Sequence, residues 1–308
     1  MPILSDVRSL FDELYPPARA ESWDAVGLVC GDPDAEVHRV MFAVDPVRQV
    51  VDEAVAWGAD LLVTHHPLYL PGTTTVAADS FKGRVVHTLI SHGIGLLVAH
   101  TNADSADPGV SDALAEAIGL RVTGPIVPDP TDPAGRRGHG RVGELAEAEP
   151  LSAFAARVAA ALPATAQGVR AAGDPDRPVR RVAVAGGSGD SFFDAVRAAG
   201  VDAYVTADLR HHPASEAREA GPLALVDAAH WATEWPWLRS AERELHAAAE
   251  RRGWSFETRV SHQVTDPWTL HAPMTAAAPS PASASSPGTA APAGSAPSPG
   301  ARSTPAHP

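Results

Sequence analysis

Short, apolar, β-rich runs alternate with stretches that carry apolar residues at helical spacing. Runs at 37–45, 59–65, 93–100, 179–186, 202–208, 223–229 and 254–261 read as strands. Between them, segments 45–58, 81–93, 108–119, 188–200 and 234–253 repeat apolar positions every three to four residues, as one face of a helix does. Gly58, Gly93, Gly119, Gly200 and Gly253 close these segments, and glycine is the residue expected just past a helix end. Strand–helix alternation predicts an α/β fold with mixed, largely parallel sheets.

The pattern weakens between Thr123 and Gly143, where Pro, Gly and Asp crowd together as turn material. The expectation is two α/β lobes divided near 120–145, with the first completed by a returning helix and strand at 234–262. The body, 1–266, then gives way to a tail, 267–308. From His271 onward the tail is almost entirely Ala, Pro, Ser, Gly and Thr, with Arg302 its only formal charge. Such a composition offers nothing to bury against its ordering entropy, so a disordered tail is predicted.

Composition narrows the function. The chain has 308 residues and a formal net charge of −13, and no run of Lys or Arg makes a basic footprint. Nucleic-acid binding is therefore disfavoured. With Cys30 as the one cysteine, no internal disulfide can form, and a reduced cytoplasmic setting is expected. The start of the chain lacks a signal-peptide pattern and no apolar run approaches a bilayer span, so no membrane partner is expected.

In open α/β sheets, functional groups gather past the carboxyl ends of the strands. Those positions hold His65-His66, then His100 through Asp104, then Asp208 with His211-His212, then Asp227, His230 and Glu234. His, Asp and Glu are the ligands of divalent metals in hydrolytic sites. Neighbours in an extended chain point in opposite directions, so His65 and His66 suit two ions better than one. His230 and Glu234 are four apart and share a helix face, where the carboxylate is placed to bridge a pair of ions. Asp104 adds an oxygen. Each signal alone has an ordinary explanation: a His pair on a loop, an Asp capping a turn, Trp235 and Trp237 as packing, Cys30 as a small core residue. Gly186-Gly187-Ser188-Gly189 reads equally as a phosphate cradle or a tight turn. The metal reading rests on the convergence of every candidate on a strand end.

The segments ESWDAVGLVCGDP (21–33), LLVTHHPLY (61–69), AHTNADSADPGVSDALAEAIGL (99–120), GGSGDSFFDAVRAAGVDAYVTADLRHH (186–212) and LALVDAAHWATEW (223–235) occur in that order. Together they resemble the Nif-three-like dinuclear metal centre proteins, also named GTP cyclohydrolase I type 2 homologs, over residues 3–262. The resemblance implies that His65, His66, Asp104, His230 and Glu234 hold two divalent ions per chain. It also implies a homohexamer with its metal sites on an inner cavity. This chain is similar to the short form, without the inserted domain of longer members. It departs from the family pattern at Ala25, Ala207 and Ala229, none of which is a ligand.

The expected function is a metal-dependent hydrolase, on the resemblance one that opens the ring of a purine nucleotide. The alternatives are a dimetal phosphoesterase or other hydrolase, and a non-enzymatic metal-binding scaffold. The donor set fits Zn, Mn, Fe or Co. His100 and His212 are the candidate proton shuttles, or else hydrogen-bond partners of a liganding carboxylate.

Overall fold

The computed structural model describes residues 1–273. Most of the tail, 274–308, lies outside the described residues, and so does the expectation of its disorder. Within the body the helices are α1 (Leu4–Leu14), α2 (Arg48–Trp57), α3 (Phe81–Ser91), α4 (Thr101–Asp104), α5 (Val110–Ala117), α6 (Leu151–Ala161), α7 (Phe193–Ala198), α8 (His211–Glu219) and α9 (His230–Glu250). The strands of the first sheet are β1 (Gly27–Cys30), β2 (Arg39–Ala43), β3 (Leu61–Thr64) and β4 (Gly95–Val98). The middle of the chain supplies β5 (Arg121–Gly124), β6 (Val127–Pro128), β7 (Gly138–His139), β8 (Arg141–Pro150), β9 (Arg170–Ala172), β10 (Pro178–Ser188), β11 (Ala203–Ala207) and β12 (Ala224–Ala228). The last strand, β13 (Glu257–Val260), returns to the first sheet.

That sheet runs β1-β4-β3-β2-β13, parallel except for β1 at its edge. The second runs β5-β8-β10-β11-β12-β9, with β10, β11 and β12 parallel at its centre and antiparallel strands outside them. The parallel strands read as continuous apolar runs because both of their faces are covered. One core fills the space between the sheets. It joins Phe42, Val63 and Leu97 of the first sheet to Val184, Val205 and Val226 of the second through Trp237, Leu238 and Leu245 of α9. A second core lies under α2 and α3 and a third under α7 and α8. Among the described residues, no helix is long and apolar enough to cross a membrane.

The region Thr123–Gly143, expected as turn material, instead carries β5, β6, β7 and the start of β8. Its Gly and Pro residues shape short strands joined by tight turns, for which periodicity gives no signal. Within it lies Arg141, 1 % exposed. Its guanidinium donates to Asp112 Oδ1 at 2.7 Å and to the carbonyls of Gly138 and Gly140, each at 2.7 Å, and also to that of Ala106. This fork ties β8 to α5, whose first turn carries Asp112.

Replacing Arg141 with Leu should therefore cost about 3–5 kcal/mol, since it strands a half-buried carboxylate and three carbonyls. Arg141→Lys should recover only part, lacking the planar fork. Urea unfolding of the two variants checks this, and a loss under about 1 kcal/mol for Arg141→Leu would contradict it.

Candidate metal centre

β3 ends at Thr64, yet the chain keeps pairing for two more residues. The His65 amide donates to Ala43 O and the His66 amide to Val44 O. The backbone bends there, so the two rings do not diverge as neighbours in an extended strand would. Their centroids lie 5.2 Å apart and both face Glu234. His65 Nε2 is 3.5 Å from Glu234 Oε1, and His66 Nε2 is 3.0 Å from Oε2. Glu234 arrives from the first turns of α9, where His230 Nε2 lies 2.9 Å from its Oε1. Asp104, at the end of α4, stands 3.7 Å from His65 Nε2. The five ligands implied by the resemblance are thus brought to one place.

Four imidazoles share one arrangement. Nδ1 of His66 meets Asp45 Oδ1 at 2.7 Å, Nδ1 of His230 meets Asp208 Oδ2 at 2.7 Å, and Nδ1 of His100 meets Asp24 Oδ1 at 2.9 Å. His65 Nδ1 lies 3.0 Å from the carbonyl of Ala99. An acceptor at every Nδ1 holds the proton there and leaves each neutral ring a lone pair at Nε2, as second partners do for liganding histidines. His65 Nε2 is fully buried and has no hydrogen-bond partner. Glu234 Oε2 is also buried and, despite its distance to His66, lacks hydrogen-bond alignment. His66 Nε2 and His230 Nε2 are only 3.2 Å apart. Two lone pairs cannot face each other at that distance without a proton or a cation between them. Ligand atoms of His66, His230 and Glu234, and separately of His65, His66 and His100, lie within 4.8 Å of one another. This buried His and Glu cluster can hold a metal ion.

The protonation states report the same crowding. Burial would lower the pKa of His66, but the carboxylates of Glu234 and Asp45 outweigh it and raise it to about 10. His230 behaves alike, raised against burial to about 11 by Glu234 and Asp208. Burial pushes Glu234 up, yet the surrounding imidazoles hold it well below the usual carboxylate range. Protons occupy, in effect, the places that cations can take.

Gly187 makes the close packing possible. Its φ of +70° disfavours side chains, and a Cβ there would lie 2.6 Å from Glu234 Oε1. The amides of Gly186 and Gly187 already donate to Ser111 Oγ and Thr233 Oγ1. The glycine run thus permits this close approach.

Several sequence expectations change. His212 lies exposed in the first turn of α8, ring against His211, and makes no contact with the cluster. The chain turns away at Asp208, whose φ is +57°, so this strand sends Asp208 to the centre and not His212. His100 sits among the ligand-spaced histidines. Asp227 turns outward to Arg170 and the Leu209 amide. Trp237 is core, and Trp235 packs with its Nε1 donating to Ser261 O. Asp24 and Asp45 went unnoticed in the sequence because a carboxylate serving another residue's Nδ1 has no spacing signature.

The Duf34/NIF3 (NGG1p interacting factor 3) family pattern matches residues 2–267. The chain belongs to the Duf34/NIF3 family. Among its relatives, the GTP cyclohydrolase 1 type 2 homolog of Streptomyces coelicolor is 67 % identical over 88 % of this chain and 95 % of its own length. The homolog of Mycobacterium tuberculosis is 40 % identical over 87 % of this chain and 97 % of its own. That alignment spans 371 positions, more than this chain has residues, so the longer Duf34/NIF3 member carries inserted sequence. A Bacillus cereus protein related to NIF3 superposes with a TM-score of 0.80 at 25 % identity, covering 88 % of this chain and 99 % of its own. A Staphylococcus aureus hypothetical protein matches with a TM-score of 0.80 at 28 % identity, covering 87 % of this chain and 99 % of its own.

The raised folded-state pKa values of His66 and His230 fix the sign of a pH effect. Their stabilising contribution is complete below the unfolded value near 6.5 and is lost as pH climbs through about 10 to 11. Chelator-treated protein should thus melt at falling temperature over that range, and a divalent ion, replacing the protons, should flatten the fall. Calorimetric scans at stepped pH check this; an equal fall with and without metal would contradict it.

Proposed function

We propose that this chain is a metal-dependent hydrolase with two divalent ions, acting on a purine nucleotide as the name of its relatives, GTP cyclohydrolase 1 type 2 homolog, describes. The observation that carries the reading is the crowding of imidazole nitrogens around one buried carboxylate. His66 and His230 face each other at 3.2 Å, and the two oxygens of Glu234 face different histidines of the 65–66 pair. His66, His230 and Glu234 would hold one ion; His65, Asp104 and the shared Glu234 would hold the other. Nitrogen and oxygen donors without thiolate suit Zn, Mn, Fe or Co. Bound there, divalent ions supply Lewis acidity and an acidified water.

The chain's own groups do the positioning. Asp45 and Asp208 keep the protons of His66 and His230 on Nδ1, which aims each Nε2 inward. Asp24, hydrogen-bonded also by the Thr101 amide, fixes His100 in the same way. Burial and the neighbouring His65 hold His100 below its ordinary pKa, so a neutral ring faces the cavity, able to accept a proton at Nε2. Assembly as a homohexamer and a cytoplasmic location belong to the same reading, the first from family resemblance and the second from the single cysteine.

Glu234→Gln keeps shape and removes the charge between two dications. Loss of an outer partner alone costs about 10–100-fold in metal affinity, so loss of the bridge should weaken both ions by more than about 100-fold. His65→Ala and His66→Ala should each weaken mainly one ion. Elemental analysis of parent protein prepared without chelator should show two ions per chain. Calorimetric metal titration separates the variants, and a Glu234→Gln chain that binds two ions as tightly as the parent would remove the bridge.

A further inference from the structure

The metal cluster forms one end of a cavity of about 530 Å³ whose other walls belong to neither ligand nor support. Three of them are ring-bearing. Trp23, on the loop before β1, is 58 % exposed, and its indole stands edge-on to His100, centroids 6.0 Å apart at 79°. Phe192, just past β10, lies against His139 of β7, centroids 5.9 Å apart at 24°, a stacked pair. His139 Nε2 is 3.2 Å from a carboxylate oxygen of Glu21, two residues before Trp23. The Glu21–His139 contact therefore ties the Trp23 loop, which leads into the first sheet, to the stacked pair formed by the β6–β7 ribbon and the turn after β10.

We propose that this cavity takes a planar heteroaromatic ring, a nucleobase or its like, held by Trp23 and the Phe192–His139 stack beside the metal cluster. The inference rests on the reading of the cluster as a metal centre acting on a purine nucleotide, and names the residues that would hold the ring. Three arguments point the same way. A tryptophan exposed to this degree leaves a large apolar face in water, and here that face borders a cavity large enough for a small molecule. Aromatic walls give stacking without regard to ring substituents. Polar side chains line the cavity beside the rings, among them Glu21, His139, Ser188 and Ser191, where the edge of a base would present its donors and acceptors. A sugar phosphate without a base would leave the aromatic walls unused.

The test is calorimetric titration of the full chain, loaded with Mn²⁺, using three probes: GTP, guanosine and inorganic tripolyphosphate. GTP should bind at least about 10-fold tighter than tripolyphosphate, and guanosine should bind measurably. Trp23→Ala and Phe192→Ala should each weaken GTP and guanosine by about 5- to 100-fold while leaving tripolyphosphate affinity and metal content unchanged. Trp23→Phe, which keeps a ring, should restore most of the loss. GTP binding no tighter than tripolyphosphate, or unchanged GTP affinity in both alanine variants, overturns the proposal. So does a Trp23→Ala chain whose mass by light scattering changes while GTP affinity does not, which would make Trp23 a subunit contact. Failure of the metal reading shows separately, as absent metal in the parent chain before any probe is added.

Discussion

Everything in this structure is arranged around an unfavourable juxtaposition: several lone pairs and one buried carboxylate pointed at the same small volume. His65, His66, His100 and His230 each give up Nδ1 to an acceptor behind them, and Glu234, 3 % exposed, lies among them. Buried acceptors without donors cost free energy. A protein keeps such a set only where the surroundings hold it in place and something cationic compensates it.

The holding is distributed over both sheets. The first contributes the ends of β2, β3 and β4, which bring Asp45, His65, His66 and His100. The second contributes Gly187 from β10 and Asp208 just past β11. Helix α9 joins them, because its N-terminal turn carries His230 and Glu234 while its length fills the shared core with Trp237, Leu238 and Leu245. The Arg141 fork makes a second tie between the halves. Neither sheet alone has a complete donor set, so the cluster reports on the packing of one against the other. The joint is apolar, and apolar packing is stiff, which is what keeps the ligand atoms of each group of cluster side chains within 4.8 Å of one another.

The parallel strands, the alternation and the residues of the cluster were legible in the sequence, because each has a local signature: a buried run, a helical period, a polar residue just past a strand. His230 and Glu234 could be paired from their spacing alone. What it did not carry depends on distant partners. Asp24 and Asp45 act through the Nδ1 atoms of residues 76 and 21 positions away, and nothing in their neighbourhoods announces that. Helix α1 buries Leu4, Val7, Leu10 and Phe11, a readable stripe, but it precedes the first clear strand and has no alternation to mark it. His212 shows the opposite failure. Its position after a strand was right by rule, yet a single left-handed residue at Asp208 turned the chain away before His212 could reach the cavity.

Charge adds an order to the events that the proposed reading requires. The chain carries a net charge of −13, and the centre concentrates carboxylates: Asp24, Asp45, Asp104, Asp208 and Glu234 surround four imidazoles. Even with His66 and His230 protonated, the carboxylates of Asp24, Asp45, Asp208 and Glu234 outnumber those two cationic rings, so the region stays negative, draws divalent cations and repels a nucleotide's phosphates. Two bound dications would take the place of those protons and offset most of the negative charge, because bound ions are the largest charges in such sites. An anionic substrate would then meet far less repulsion at the cavity, with the ions as its nearest positive charges. Metal loading would thus precede substrate binding for an electrostatic reason, without any moving lid. The aromatic walls, being uncharged, would present the same face to a base in either state, so the ring and the phosphates of a nucleotide would respond to the metal differently.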